Sequence, residues 1–425
     1  MNTYYQTKDS QMIGALKTFS NPEPITLNHS SCPGCSSMDI SMFYTLKAVP
    51  AHSVLIMPSR SDAINYPKGN IALGFCHNCG FISNLAFDPS LLEYCSKCEE
   101  SQGFSDTFNS FHRNLAQYLI NKFDLYNKDI IEIGCGKGDF LTLLCQLGNN
   151  RGIGFDPAFV RERFDFNNKI QVKFIEDFFS EKYSHYKADF ICCKMTLEHI
   201  HQTKHFVTMV RNSIQDRLNT IVFFQVPNVM QIFNEFAFWD IYYEHCSYFS
   251  VNSLRNLFEN SDFYVINTWL DYDEQYLMIE AKPEEENNTR AKKNTYDTLY
   301  QLTNNVILFT KNYRSIFRKW HQFLNQAYRQ DKKIVLWGSG SKAVSFLTTL
   351  KIYDLIRYVV DINSYRWDTF IAGTGQKIVS PDFLTQYKPD IVIVMNPIYI
   401  PEVKKSLALR NLNPKLMTVL SPQRI

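Results

Sequence analysis

The run Asp129-Ile-Ile-Glu-Ile-Gly-Cys-Gly-Lys-Gly138 constrains this chain more than any other segment. Ile130, Ile131 and Ile133 make a short apolar stretch, and a stretch of that length ending in glycines reads as a buried strand. Gly134-x-Gly136-x-Gly138 then lets the backbone turn sharply and approach a ligand closely, where a helix N-terminus follows. Strand, glycine turn and helix in that order form the first half of a parallel βαβ unit, so the sheet is covered by helices on both faces.

The rest of the chain extends that pattern twice. Apolar runs at 130–133, 152–155, 172–175, 189–193 and 221–226 alternate with helical patterns. A second set follows at 334–337, 358–361, 391–395 and 416–420. Alternation of this kind predicts two separate α/β domains. Between them, 283–333 lacks Gly, and Leu299, Leu302, Val306, Phe309, Tyr313, Phe317, Trp320 and Leu324 recur at helical spacing. That stretch predicts one or two long helices. With 425 residues, two to four domains are expected.

Before the first α/β domain lie three Cys-x-x-Cys pairs, holding six of the eleven cysteines. Cys32/Cys35 and Cys76/Cys79 have the spacing of two knuckles that bring four thiolates to one ion, and they predict a closed tetrahedral zinc site. Cys95/Cys98 has no second pair to complete a site and is left out of it. The other five cysteines are scattered in apolar runs, and an odd total argues against a disulfide framework. The N-terminal twenty residues are polar, and no window of about 18 uninterrupted apolar residues occurs, so a membrane span is not expected and the cytoplasm is the default compartment. A formal net charge of +2 gives no electrostatic case for nucleic acid or an anionic membrane.

The glycine motif alone does not name a ligand, since nicotinamide enzymes share it. Here the spacing is GxGxG rather than GxGxxG, and Glu132 stands just before the first glycine. Asp156 closes the second strand, where an acid accepts ribose hydroxyls. Asp177 closes the third, with Phe178 beside it, where an acid meets an adenine amino group. This set resembles the class I S-adenosylmethionine (SAM)-dependent methyltransferases over about Phe111 to Lys282.

Two later segments follow the C-terminal ends of strands, where open α/β sheets place ligands. They are Leu197-Glu-His199-Ile and Phe238-Trp-Asp-Ile-Tyr242-Tyr-Glu244-His245-Cys-Ser-Tyr-Phe-Ser250. Histidine serves as a base near neutral pH, and tyrosine donates to a developing oxyanion. With CPGC, CHNCG, EIGCGKG, LEHI and YYEHCSYFS in order, the chain resembles the three-domain C-methyltransferases of deoxysugar biosynthesis from about Cys32 to Pro422.

That resemblance implies a zinc-binding N-terminal domain (1–105), a SAM-dependent methyltransferase domain (106–282), a helical connector (283–330) and a C-terminal Rossmann-like domain (331–425). It implies a nucleotide-linked keto sugar as substrate. His245 would be the base that removes the proton α to the carbonyl, with Tyr242, Glu244 and His199 orienting the sugar and stabilising the enolate. Gly338-Ser-Gly340-Ser-Lys342 follows a strand and opens a helix, where backbone amides and a lysine hold phosphate. The chain departs from the family where Cys98 stands in a stretch usually rich in tyrosine, and at the flanks of the Gly338 turn. The other readings weighed are O- or N-methylation of another small molecule, a nicotinamide-dependent oxidoreductase and a methyltransferase-like binding scaffold.

Overall fold

The structure, a computed structural model, describes residues 25–164, 170–284, 296–353 and 355–421. An antiparallel sheet begins the chain with β1 (Ile40–Pro50), β2 (Lys68–Cys76) and β3 (Ile82–Asn84). The central sheet is built from β4 (Asp129–Ile133), β5 (Arg151–Phe155), β6 (Gln171–Ile175), β7 (Phe190–Lys194) and β8 (Ile221–Pro227). A two-residue strand, β9 (Ser247–Tyr248), leaves that domain and pairs with β3 of the first sheet. β10 (Phe263–Asp271) and β11 (Tyr276–Pro283) complete the central sheet. The last sheet contains β12 (Ile334–Trp337), β13 (Tyr358–Val360), β14 (Lys377–Val379), β15 (Ile391–Val394) and β16 (Lys415–Thr418).

The central order is β10-β11-β8-β7-β4-β5-β6, with β11 antiparallel to both neighbours and the others parallel. This is the Rossmann-like fold of class I methyltransferases. The last sheet is wholly parallel, in the order β14-β13-β12-β15-β16. In each, the strand carrying a glycine turn (β4, β12) sits where the order reverses, which is where such sheets bind ligands. The runs expected from sequence are β4 to β8, β12, β13, β15 and β16. The β10–β11 pair and β14 were not expected. β10 and β11 form an antiparallel hairpin that needs no crossover helix, and β13 reaches its parallel partner β14 by a connection whose helical turn is only Ser364–Arg366, so the strand–helix alternation that marks the others is missing.

The stretch read as one or two helices is a single helix, Tyr296–Arg329. Its apolar stripe serves two cores. Leu302, Val306 and Phe309 pack against Tyr44, Phe75 and Ile82 of the first sheet. Ile316, Trp320, Leu324 and Ala327 pack with Leu336, Phe346 and Ile393 of the last. Trp320 is fully buried, and its indole Nε1 donates to Val419 O at 3.2 Å. One helix thus braces two domains that are far apart in sequence. Among the described residues no helix is long and apolar enough to cross a membrane.

Candidate active site

A cavity of about 950 Å³ opens at the C-terminal ends of β4, β7 and β12. The central and last sheets and the loops that follow β1 and β3 contribute to its wall.

On the central sheet, Gly134 and Gly136 turn with positive φ, and Gly138 caps the helix Asp139–Gly148 in the left-handed region. A Cβ on Gly134 would lie 2.0 Å from Thr196 Oγ1, so only glycine fits there. Asp156 binds the turn from the next strand: its Oδ2 accepts from Gly136 N at 2.8 Å and its Oδ1 from Ala158 N at 2.7 Å. Glu132, 2% exposed, keeps one carboxylate oxygen without a partner while lining the cavity. Burial raises it to about 7, against the pull of nearby Lys194. An acceptor of this kind behind a glycine cradle fits a cofactor with a cationic, hydrogen-bond-donating head such as SAM.

Asp177 stands apart. Its carboxylate takes Phe178 N, the Tyr183 hydroxyl and the Lys182 ammonium. At this strand end the cavity is lined by Phe178 and Phe179 instead.

The segment after β8 carries the second constellation. His245 is 5% exposed, its ring centroid 4.1 Å from that of Tyr242 and 4.9 Å from that of His199. His199 Nδ1 lies 3.0 Å from the Tyr94 hydroxyl. The structure therefore gathers His245, Tyr242 and His199 on one wall. Burial, then the neighbouring His199 and Lys342, hold His245 well below the usual imidazole range, so it is neutral and able to accept a proton. Burial likewise lowers His199 to about 4.

Glu244 faces the same cavity, yet its oxygens are already engaged. Oε1 accepts from Ser53 N at 2.9 Å and sits 3.1 Å from His52 Nδ1, while Oε2 accepts from Ser53 Oγ at 2.6 Å. Burial alone would raise this carboxyl, but His52 and Ser53 outweigh burial and keep it below the usual range. Glu244 therefore fastens the His245 segment to the N-terminal module.

Glu198, next to His199, carries no mark of a role in the sequence. It is fully buried, both carboxylate oxygens lack partners, and Oε1 lies 3.9 Å from His245 Nε2. Burial raises it to about 8, so it is protonated at neutral pH. His52 and Ser53 carried no sequence signal, because their partner lies about two hundred positions away.

In the last domain, Gly338, Gly340 and Lys342 line the cavity. Lys342 Nζ pairs with Asp240 Oδ1 at 2.6 Å, and Ser345 Oγ donates to Ile241 O at 2.7 Å, which ties this turn to the His245 segment.

Away from the cavity, Sγ of Cys32, Cys35, Cys76 and Cys79 all lie within 4.8 Å of one another. Two of the separations are 3.6 Å. A tetrahedral thiolate site with bonds of about 2.3 Å has edges near 3.8 Å, so donor set and spacing fit one ion with no open position. Gly34 N and Asn78 Nδ2 each donate to a cluster sulfur at 3.4 Å, spreading thiolate charge.

Residues 106–268 match the family described as Methyltransferase domain, and residues 281–419 match the C-methyltransferase C-terminal domain. The C-methyltransferase NovU of Streptomyces niveus is 23% identical over 309 residues, covering 68% of this chain and 72% of that protein. Among solved structures, a magnesium protoporphyrin IX methyltransferase from Synechocystis with bound SAH is 12% identical, with a TM-score of 0.34 over 42% of this chain and 84% of that one. The PH0226 protein of Pyrococcus horikoshii gives a TM-score of 0.35 at 12% identity, over 44% and 97%. The chain is a SAM-dependent methyltransferase enzyme with a methyltransferase domain followed by a match to the C-methyltransferase C-terminal domain.

Proposed function

For a methyltransferase carrying a C-methyltransferase C-terminal domain, we propose that the substrate is a nucleotide-linked keto-deoxysugar. Methylation falls on the carbon α to its carbonyl, with His245 as the base. The observation that supports this most is the shared cavity. The Gly134 turn, the His245–Tyr242–His199 wall and the Gly338–Lys342 turn all face one space of about 950 Å³, room for a cofactor beside a sugar nucleotide.

SAM, when bound, supplies an electrophilic methyl group. Glu132, Gly134, Gly136 and Asp156 are the residues that would hold it. The Gly338 and Gly340 backbone and Lys342 would hold the diphosphate of the substrate, whose charge displaces Asp240 from Lys342 in part. That leaves the sugar against His245. Neutral His245 takes the α proton, and the negative charge that develops on the carbonyl oxygen meets the Tyr242 hydroxyl. The proton on His245 then lies close to Glu198, whose ionised form stabilises the new imidazolium. Glu244, bound to Ser53 and His52, acts by position rather than by touching the sugar. The four-cysteine cluster holds zinc in a structural role. Its Cys76 ends β2, so the ion stiffens the sheet to which β9 is added.

Two measurements test this reading. Methyl-labelled SAM with a panel of nucleotide-linked 4-keto-6-deoxy sugars should give a carbon-bound methyl by NMR. His245→Ala should lower kcat about 10²–10⁴-fold with SAM affinity intact, the range for loss of a general base. Label on oxygen or nitrogen instead would remove the enolate route. The second is a pH profile. Glu198 ionises only as pH climbs through about 8, so kcat should rise across that range in the wild type. In Glu198→Gln that rise should be missing.

A further inference from the structure

Cys95 and Cys98 form the third Cys-x-x-Cys pair and stand outside the four-sulfur cluster. Cys98 has partners of its own. Its Sγ lies 3.5 Å from His52 Nε2, and the other nitrogen of that ring, Nδ1, lies 3.1 Å from Glu244 Oε1. Glu244 is in turn fixed by Ser53 N and Oγ. Thiol, imidazole and carboxylate are thus aligned from three separate segments, and all three residues line the large cavity.

The remaining buried thiols are built differently. Cys135, Cys192 and Cys193 are pushed well up by burial, with nearby carboxylates adding to the shift. Such thiols are inert. Cys98 differs from them in touching a histidine ring. Burial works against a charged His52, but Glu244 and the Cys98 sulfur overcome it and raise the ring to about 10, so it is an imidazolium at neutral pH. The Cys98 Sγ also lies 3.6 Å from Glu93 O, so the sulfur is held between this ring and a backbone carbonyl.

We propose that Cys98 is a nucleophile facing the substrate cavity, aligned by His52 and Glu244, and that it is a covalent modification site for small disulfides with Cys95 as the resolving thiol. In the first exchange the Cys98 thiolate attacks one sulfur of R–S–S–R. A Cys98–S–S–R bond forms, and RS⁻ leaves and takes a proton from solvent. Cys95 then gives its proton to solvent and attacks the Cys98 sulfur, expelling the second RS⁻ and closing a Cys95–Cys98 disulfide. Two protein thiols are oxidised and one small disulfide is reduced to two thiols. Cys98 N donates to Cys95 O at 2.9 Å, a tight turn that keeps the two residues close.

The modification would reach the methyl-transfer site by two routes. Cys98 O accepts from Lys137 Nζ at 2.7 Å, and Lys137 lies between Gly136 and Gly138. A bonded Cys98 sulfur also leaves the His52–Glu244 pair with one partner fewer, and that pair anchors the His245 segment.

The test uses the full-length protein with zinc bound and limiting iodoacetamide at pH 7, with alkylation read by peptide mass mapping among cysteines outside the cluster. Cys98 should react first, about tenfold faster than Cys95, Cys135, Cys145, Cys192, Cys193 or Cys246, and His52→Asn should slow it by about tenfold. With bis(2-hydroxyethyl) disulfide the wild type should form the Cys95–Cys98 bond, and Cys95→Ser should stop at a mixed disulfide on Cys98. Dithiothreitol should reverse both. The ranking within the wild type needs no variant, so it stands even if His52→Asn does not fold. Alkylation of Cys98 no faster than Cys95, or a mixed disulfide on another cysteine, overturns the proposal. An unchanged rate in a folded His52→Asn overturns the aligning role of His52.

Discussion

Two glycine turns open on the same cavity, and their backbones are wired alike. Gly134 N donates to Phe155 O at 2.9 Å, and Gly338 N donates to Val360 O at 2.8 Å. Each turn is held by an acid from the next strand: Asp156 Oδ2 accepts from Gly136 N, and Asp361 Oδ2 accepts from Ser339 N, both at 2.8 Å. The second oxygen of each acid accepts from a backbone N two residues on, Ala158 or Asn363. The difference lies in what surrounds this shared wiring. Two residues before the first glycine, the first turn has Glu132 with an unpartnered oxygen, and the second has Leu336, fully buried. Asp361 also accepts from Ser339 Oγ at 2.5 Å, a bond Asp156 lacks. A Cβ would collide with Thr196 at Gly134 but would meet nothing closer than 3.6 Å at its counterpart Gly338, and nothing closer than 3.9 Å at Gly340. A backbone pattern is therefore not a ligand assignment. The same turn is close-fitting and carries a spare acceptor in one domain. In the other it is self-satisfied and open, with a lysine near its rim.

The largest test of this contrast is a pair of alanines. Gly134→Ala forces a clash costing about 1–3 kcal/mol, or roughly 5- to 150-fold in SAM affinity by calorimetry. Gly340→Ala should change SAM affinity by less than about threefold, since its Cβ has room and its φ of −73° is ordinary. Equal losses would break the contrast. A second pair sharpens it. Asp361→Asn replaces one of two accepting oxygens by an NH2, leaving at least one of the donors Ser339 N, Ser339 Oγ and Asn363 N unmet, and should destabilise the fold by about 1–3 kcal/mol in urea melts. Asp156→Asn should act on SAM affinity, by about tenfold, more than on the melt. The smallest effect is expected at the lysine. Lys342→Met should raise KM for the sugar nucleotide about three- to tenfold with SAM affinity unchanged, as a half-exposed charge contact warrants.

What could be read from sequence follows the range of the interactions. The glycine turns, their strands and the two cysteine knuckles are local patterns, and a few adjacent residues fix their geometry. The helix Tyr296–Arg329 was legible for the same reason, because its stripe repeats within the segment. The contacts of Glu244 were not. An acid in a run of aromatics carries no mark showing that Ser53 and His52 will take both its oxygens. Asp177 shows the same limit from the other side. Its place at a strand end suggested a ligand contact, but Lys182 and Tyr183, five and six residues on, occupy the carboxylate. The β10–β11 pair did leave a sign, since Tyr272 to Gln275 forms a turn between two strand-like runs.

The short strand β9 has one more consequence. Ser247 and Tyr248 lie two and three residues after His245 and hydrogen-bond into a sheet whose other strands belong to the cysteine-bearing module. Exchanging this N-terminal module for another would remove the bonding partner of the segment that carries His245, so the two parts can be transplanted only as one piece.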